Sequence, residues 1–157
     1  MRDIKFRGKD RESCWHYGDL VQEIRHNDNK LFDGTFTHIR NFEYKNGDYI
    51  GKIFPVIPDT IGQYTGLHDK NGKKIYEGDV VKYRDSTGQH IEKVIFDKGC
   101  FYAGMHGGSS TRVAPKLINT RITEVIGNIY DNLELLGGED ERLWRLSIQM
   151  YLLYWYN

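Results

Sequence analysis

Apolar and polar side chains alternate in short runs along most of this chain, and turn residues separate the runs. IKFRG sets Ile4 and Phe6 on one face of an extended segment and Lys5 and Arg7 on the other. CWHYGDLVQEIR fits either periodicity, and residues 15–22 are read as a strand. TFTHIRNFEY, KNGD and YIGKIF form the clearest pattern. Asn46-Gly47 suits a two-residue type I′ turn, because both residues accept positive φ cheaply. That register places Lys45 opposite Asp48 and Tyr44 opposite Tyr49, a charge pair and an aromatic pair. FPVIPD carries two prolines and reads as an extended connector.

Further short, β-prone segments follow: IGQYTG, KKIYEGDVVKYRD, HIEKVIFDKG, CFYAGM and RITEVIGNIYDN. Asp85-Ser86-Thr87-Gly88 and Asp97-Lys98-Gly99 are turn material, and GMHGGSSTRVAPK (104–116) has the composition of a mobile loop. Short strands at regular spacing predict a mainly β protein with N-terminal β-hairpins and a small barrel-like domain. The expected division is an N-terminal β region over 1–60 packed on the core, a barrel-like core over 61–136, and an apolar extension over 137–157. That extension fits a short helix or a strand. Acidic residues 139–141 before Leu143, Leu146, Met150 and Leu153 suit a helix, yet Trp144, Leu146, Ile148, Met150 and Leu152 also alternate with polar neighbours. Leu, Met, Arg and Gln favour the helix.

Charge narrows the function classes. Lys plus Arg and Asp plus Glu are 22 each, so the net charge is zero, and no basic arm or acidic tail stands out. A protein that relies on neutralising phosphates usually carries a basic excess, which counts against nucleic-acid binding without removing it. MRDIKFRGKDRESC lacks the apolar segment of a secretory signal, and LLYWY is too short to span a bilayer. The expectation is a soluble intracellular protein without membrane contact.

The stretch QYTGLHDKNGKKIYEGDVV (63–81) most resembles a site. A calcium loop fails on spacing. With Asn71 and Gly72 at the fifth and sixth positions, Leu67 falls at the first and Gly78 at the twelfth, where carboxylates are needed. A hairpin fits better: with Asn71-Gly72 at the tip, Lys70 opposes Lys73, Asp69 opposes Lys74, and His68 opposes Ile75. Gly78 then permits a bulge or bend in the following strand. His68, Asp69 and Glu77 stay in view as an acid–base group, though no nucleophile or phosphate loop accompanies them.

Elsewhere chemistry is thin. Cys14 and Cys100 stand far apart in no metal-binding pattern, and the remaining histidines show no HxH or HExxH spacing. No metal or cofactor is implied. Cys14 and His16 share a strand face, which allows a thiol–imidazole pair, but no orienting third group is evident and a structural cysteine fits as well.

MRDIKFRGKD, QYTGLHDKNGKKIYEGDVV and EVIGNIYDNLELL, in that order, resemble the YopX-like proteins of phages and prophages over residues 1–136. The resemblance implies a mostly β protein around a small barrel, encoded by phage or prophage DNA and acting in the cytoplasm of a bacterial host. It brings no established activity and no catalytic residues. The family pattern often reads ENPELL where Asp131-Asn132-Leu133-Glu134-Leu135-Leu136 stands here, and it tends to end near Leu136.

Three functional readings follow, in this order. The first is a non-enzymatic interaction module, suited to eleven Tyr, seven Phe and three Trp. The second is a single-stranded nucleic-acid-binding barrel using Tyr76, Lys82, Tyr83, Arg84 and Lys93, against which those tyrosines also suit cross-strand packing. The third is an enzyme built on His68, Asp69 and Glu77. The extension adds an interface candidate in Leu143, Trp144, Leu146, Ile148, Met150, Leu153 and Trp155. These cannot all face water, and contact with a second copy or another protein would cover them.

Overall fold

The computed structural model describes residues 3–25, 34–46, 48–104 and 116–136. The segments read as alternating form strands. The chain divides into two compact units, Met1–Leu67 with Lys74–Tyr76, and His68–Lys73 with Glu77–Asn157.

The first unit holds a six-stranded antiparallel sheet in the order β4-β3-β2-β1-β5-β6. Its strands are β1 (Phe6–Lys9), β2 (Trp15–Arg25), β3 (Gly34–Lys45), β4 (Asp48–Pro55), β5 (Gly62–His68) and β6 (Lys74–Tyr76). The β3–β4 hairpin has the expected register, with Tyr44 opposite Tyr49 and Lys45 opposite Asp48. Asn46 has φ 55°, as its turn requires. FPVIPD departs from a plain connector: β4 runs to Pro55, and Pro58–Thr60 forms a 3₁₀ turn. Proline is tolerated there because β4 is an edge strand. Ile39, Ile75, Tyr64 and Tyr76 are buried in this unit.

The second unit holds a five-stranded antiparallel sheet in the order β10-β9-β8-β7-β11. Its strands are β7 (Asp79–Asp85), β8 (Gly88–Asp97), β9 (Cys100–Ala103), β10 (Lys116–Leu117) and β11 (Glu124–Asn128). β7 lies between β8 and β11, and its adjacent Val80 and Val81, which point to opposite faces, are both fully buried. A bulge between Val125 and Gly127 shifts the β11 register against β7. The architecture is mainly β, as the alternation predicts, and it takes the form of two sheets that do not close into a barrel among the described residues.

The second hairpin differs from its expected register. The Asp69 N–H donates to the Lys73 carbonyl at 2.8 Å and the Gly72 N–H to the Asp69 carbonyl at 3.0 Å, so the loop has three residues, Lys70–Gly72. Gly72 has φ +82°, while Asn71 is not among the residues with positive φ. The cause is the Asp69 carboxylate, whose Oδ1 accepts the N–H groups of Asn71 (2.8 Å) and Lys73 (2.9 Å). Such an aspartate turn replaces the two-residue one. Gly78 does interrupt the KKIYEGDVVKYRD segment, with φ +81° between β6 and β7. Most of the 104–116 segment, and the whole 137–157 extension with its interface candidates, lie outside the described residues.

Candidate functional site

β1 sits inside the first sheet, between β2 and β5, and its alternation sends Arg7 and Lys9 to one face. Across the ladder Arg7 pairs with Tyr17 and Lys9 with Trp15. The Arg7 guanidinium carbon lies 4.7 Å from the Trp15 ring centre and 5.1 Å from that of Tyr76. Lys9 Nζ is 5.6 Å from the Trp15 ring, and Lys74 Nζ is 5.4 Å from the Tyr64 ring. Tyr76 meets Tyr17 edge-on at 5.6 Å and Tyr64 at 5.4 Å. Tyr64, Tyr76 and Arg7 are buried, whereas Tyr17 is 47% exposed. Burial, helped by the nearby Asp3 charge, pushes the Tyr64 phenol above its ordinary pKa.

Each cation–ring contact contributes about 0.5–1 kcal/mol when exposed and about 2 kcal/mol when desolvated. Arginine suits the buried position because its planar guanidinium stacks on rings and stays charged.

The same face continues over β2, β3 and β4. Asp19 pairs with Arg40, and Arg40 with Ile53. Arg40 Nη2 is 3.8 Å from Asp19, and its guanidinium lies 5.0 Å from the Phe42 ring centre. The Phe42 ring covers Gly51, where a Cβ would come within 3.0 Å of it, yet Phe42 is 50% exposed. Phe36 and Ile53 are also exposed on this face. His38 is buried, and its Nδ1 has no hydrogen-bond partner among the described residues.

His16 lies on the opposite face. Its ring stacks on Phe54 at 4.0 Å, and its Nε2 is 2.7 Å from Asp10 Oδ2. Asp10 Oδ1 accepts the backbone N–H groups of Glu12 and Cys14. The His16 hydrogen bond, with those from the Cys14 and Glu12 amides, holds the Asp10 carboxyl below its ordinary value. His16 thus completes a turn with Asp10, and Cys14 is exposed beside it.

In the second unit, Lys82, Tyr83 and Arg84 lie on β7 and Lys93 on β8. Lys93 pairs with Val80, so it shares a face with Lys82 and Arg84. Tyr83 is turned to the other face. It is buried, donates its hydroxyl to Glu92 Oε2 at 2.7 Å, and stacks on His90 at 4.9 Å. Burial first, then Glu92, raise its pKa strongly. Tyr83 therefore offers no open ring beside those three cations. Lys82 and Lys70 both approach the Glu124 carboxylate, at 4.0 and 2.7 Å. Tyr76 belongs to the first unit, inside the ring cluster around Arg7.

Of the proposed acid–base group, Asp69 is committed to backbone. Besides its two turn amides, its Oδ2 accepts the Val125 N–H at 3.0 Å. Burial opposes its charge, but these three donors prevail and hold its carboxyl below the ordinary value. Proton transfer by Asp69 would cost those bonds. No three His, Cys, Asp or Glu side chains among the described residues group so as to hold a metal ion. No helix among the described residues is long and apolar enough to cross a membrane.

The YopX protein family matches residues 5–137. The chain belongs to the YopX family. The crystal structure of protein EF1440 from Enterococcus faecalis is similar at a TM-score of 0.52, with 23% identity, over 87% of this chain and all of that one. At that identity the likeness shows the fold alone. Comparison with curated proteins gives no match.

Within this YopX-family chain, sequence reasoning grouped Tyr76 with Lys82, Tyr83, Arg84 and Lys93, whereas the structure sets it among Arg7, Tyr17 and Tyr64 of the first unit. A signal was present: IKFRGK puts basic residues on one side of a strand, and WHY puts aromatics on one side of the next.

Proposed function

We propose that this YopX-family protein is a non-enzymatic interaction module whose contact face is the aromatic and basic face of the six-stranded sheet. One observation carries the reading. Tyr17 and Phe42 are large exposed rings on one face, with Arg7 and Arg40 beside them. Aromatic residues and arginine are enriched at binding surfaces, because they combine large contact area with directed polar contacts. The family resemblance adds that the module is encoded by phage or prophage DNA and works in a bacterial cytoplasm. The apolar extension 137–157 serves as a second contact segment, toward another copy or another protein.

Photo-crosslinking in expressing cells tests the face. A photoreactive side chain at Tyr17 or Phe42 should give adducts that the same group at Phe96 of β8 does not. Absence of adducts from both face positions overturns the reading.

A further inference from the structure

We propose that the acidic run Glu139-Asp140-Glu141 docks on the cationic face of the five-stranded sheet in its own chain, and so fixes the root of the apolar extension there. The face is built by β7 and β8. Lys82 and Arg84 lie two residues apart on β7, and Lys93 of β8 pairs with Val80, one step along from Lys82 on the same face. Arg84 is exposed, Lys93 is half-buried, and neither makes an ion pair with any described residue. Glu124 pairs with Lys82 across β7 and β11, yet its carboxylate is 4.0 Å from Lys82 and 2.7 Å from Lys70, so it serves Lys70 foremost. Like charges on neighbouring positions of a sheet repel, and an anion laid over them removes that cost.

Ile91 stands among these cations, opposite Lys82, and is 38% exposed. A phosphodiester backbone gives it no apolar cover, whereas a peptide with acids beside an apolar side chain answers both needs. The described chain ends over this same face. Gly127 pairs with Val80, so Gly127, Val80 and Lys93 form one row across β11, β7 and β8. A Cβ at Gly127 would come 2.8 Å from Leu135 Cδ1 and 2.6 Å from Asn132 Oδ1, which sets the 3₁₀ turn Leu133–Leu135 over that row on the cationic side. The described chain ends one position later, at Leu136. Glu139 follows three residues on and Glu141 five, a reach of about 10 and about 17 Å. From Gly127, Lys93 is two strand spacings away, about 10 Å, and Lys82 is about 8 Å away, one spacing across and two residues along. Glu139 and Leu143, four positions apart, share a side in a helix and in a strand alike, so an acid meets Lys82 or Lys93 while Leu143 covers Ile91. A link this short presents the acids at an effective concentration of about millimolar, which sustains contacts too weak to hold two separate molecules. The apolar residues beyond Leu143 are left for the contact proposed above.

Zero-length carbodiimide coupling of the full chain tests this, because it joins only carboxylates and amines already in contact. Equal amounts of isotope-labelled and unlabelled protein are mixed in urea, refolded together, coupled and digested, and the linked peptides are weighed. The Lys70–Glu124 link, expected from their 2.7 Å pair, shows that the reagent has acted. Glu139, Asp140 or Glu141 should join Lys82 or Lys93, with both halves of each link carrying the same isotope. The yield should fall at least about fivefold in about 1 M salt, where the screening length is about 3 Å. Arg84→Gln, at a side chain that takes no part in coupling, should lower the yield about threefold. Arg84 is exposed, and an unchanged unfolding midpoint establishes that the variant is folded. A Lys70–Glu124 link without any from 139–141 to Lys82 or Lys93 overturns the proposal and leaves the face to an outside anion. Links of which half join different isotopes, the statistical result for contact between copies, overturn it in favour of a second copy. A yield indifferent to both salt and Arg84→Gln overturns it as well.

Discussion

The Asp69 carboxylate bonds the Val125 amide at 3.0 Å across 56 positions of sequence, while its other oxygen closes its own turn. One side chain thereby fixes a hairpin tip and its neighbouring strand β11. The Lys70 N–H reinforces it by donating to the Thr123 carbonyl at 2.9 Å.

Asp69→Ala leaves three backbone donors without their acceptor and should lower stability by about 3 kcal/mol in urea unfolding. Asp69→Asn retains one acceptor oxygen but turns an amide N–H₂ toward one of the donors, and should cost about half as much. Lys70→Ala removes the 2.7 Å pair with Glu124, whose side chains are both partly exposed, and should cost under about 1 kcal/mol. Equal losses for Asp69→Ala and Lys70→Ala would contradict this ranking.

The same carboxylate predicts a pH dependence. Its folded pKa lies below the ordinary 3.8. Below that ordinary value the unfolded chain takes up a proton that the folded chain still refuses, so unfolding binds protons and stability falls as pH drops. The contribution is therefore complete above the unfolded value and is lost as pH falls from about 4 through the folded pKa. Urea midpoints measured from pH 6 to pH 2 should fall less steeply in Asp69→Asn than in the parent chain. Parallel curves would remove Asp69 from the acid response.

Two glycines separate backbone strain from steric contact. Gly72 and Gly78 have φ +82° and +81°. A Cβ at Gly72 meets nothing within 4 Å, whereas at Gly78 it comes 3.2 Å from the Tyr130 ring and 3.5 Å from Ile129. Gly72→Ala should cost about 1 kcal/mol, the backbone penalty alone. Gly78→Ala should cost about 1 kcal/mol more, from contact with Tyr130 and Ile129. Thermal unfolding of the pair decides it.

Arg7→Lys keeps the charge and loses the plane that lies against Trp15 and Tyr76. The expected loss is about 1–2 kcal/mol in urea unfolding. No change would mean that the rings pack around the aliphatic stem alone.

Deletion of residues 139–157 tests the extension. Light scattering should find the full chain associated and the shortened chain monomeric, since the removed segment carries the apolar surface that needs cover. A full chain that stays monomeric at high concentration overturns association through this segment.

The strands were legible because alternation and turn residues are local. The hairpin register around Asn46 was legible from sequence neighbours alone, as the Tyr44–Tyr49 and Lys45–Asp48 pairs show. The Lys70–Gly72 loop was misread because Asp69 competes for the turn amides, and its second oxygen answers to Val125, which no local pattern reveals. The face around Arg7 was half legible. Alternation gave its direction on β1, but Tyr76 reaches it only through the pairing of β1 with β5 and the addition of β6. Tyr83 was grouped with Lys82 and Arg84, although alternation alone sends it to the other face; its partners there, Glu92 and His90, come from the neighbouring strand β8.

Strand order also sets a folding schedule. In each sheet consecutive strands form a meander, β1 to β4 and β7 to β10, and a later strand then returns to pair with the first: β5 with β1, β11 with β7. Meander contacts close short loops, while each returning strand must close a long one before any ladder bond rewards it. The meanders therefore condense first and each first strand waits with an open edge. The ring cluster around Arg7 needs β6, so it assembles only after β5 arrives; the Asp69–Val125 bond, which needs β11, is likewise a late event. Substitutions there should speed unfolding and leave the refolding rate nearly unchanged.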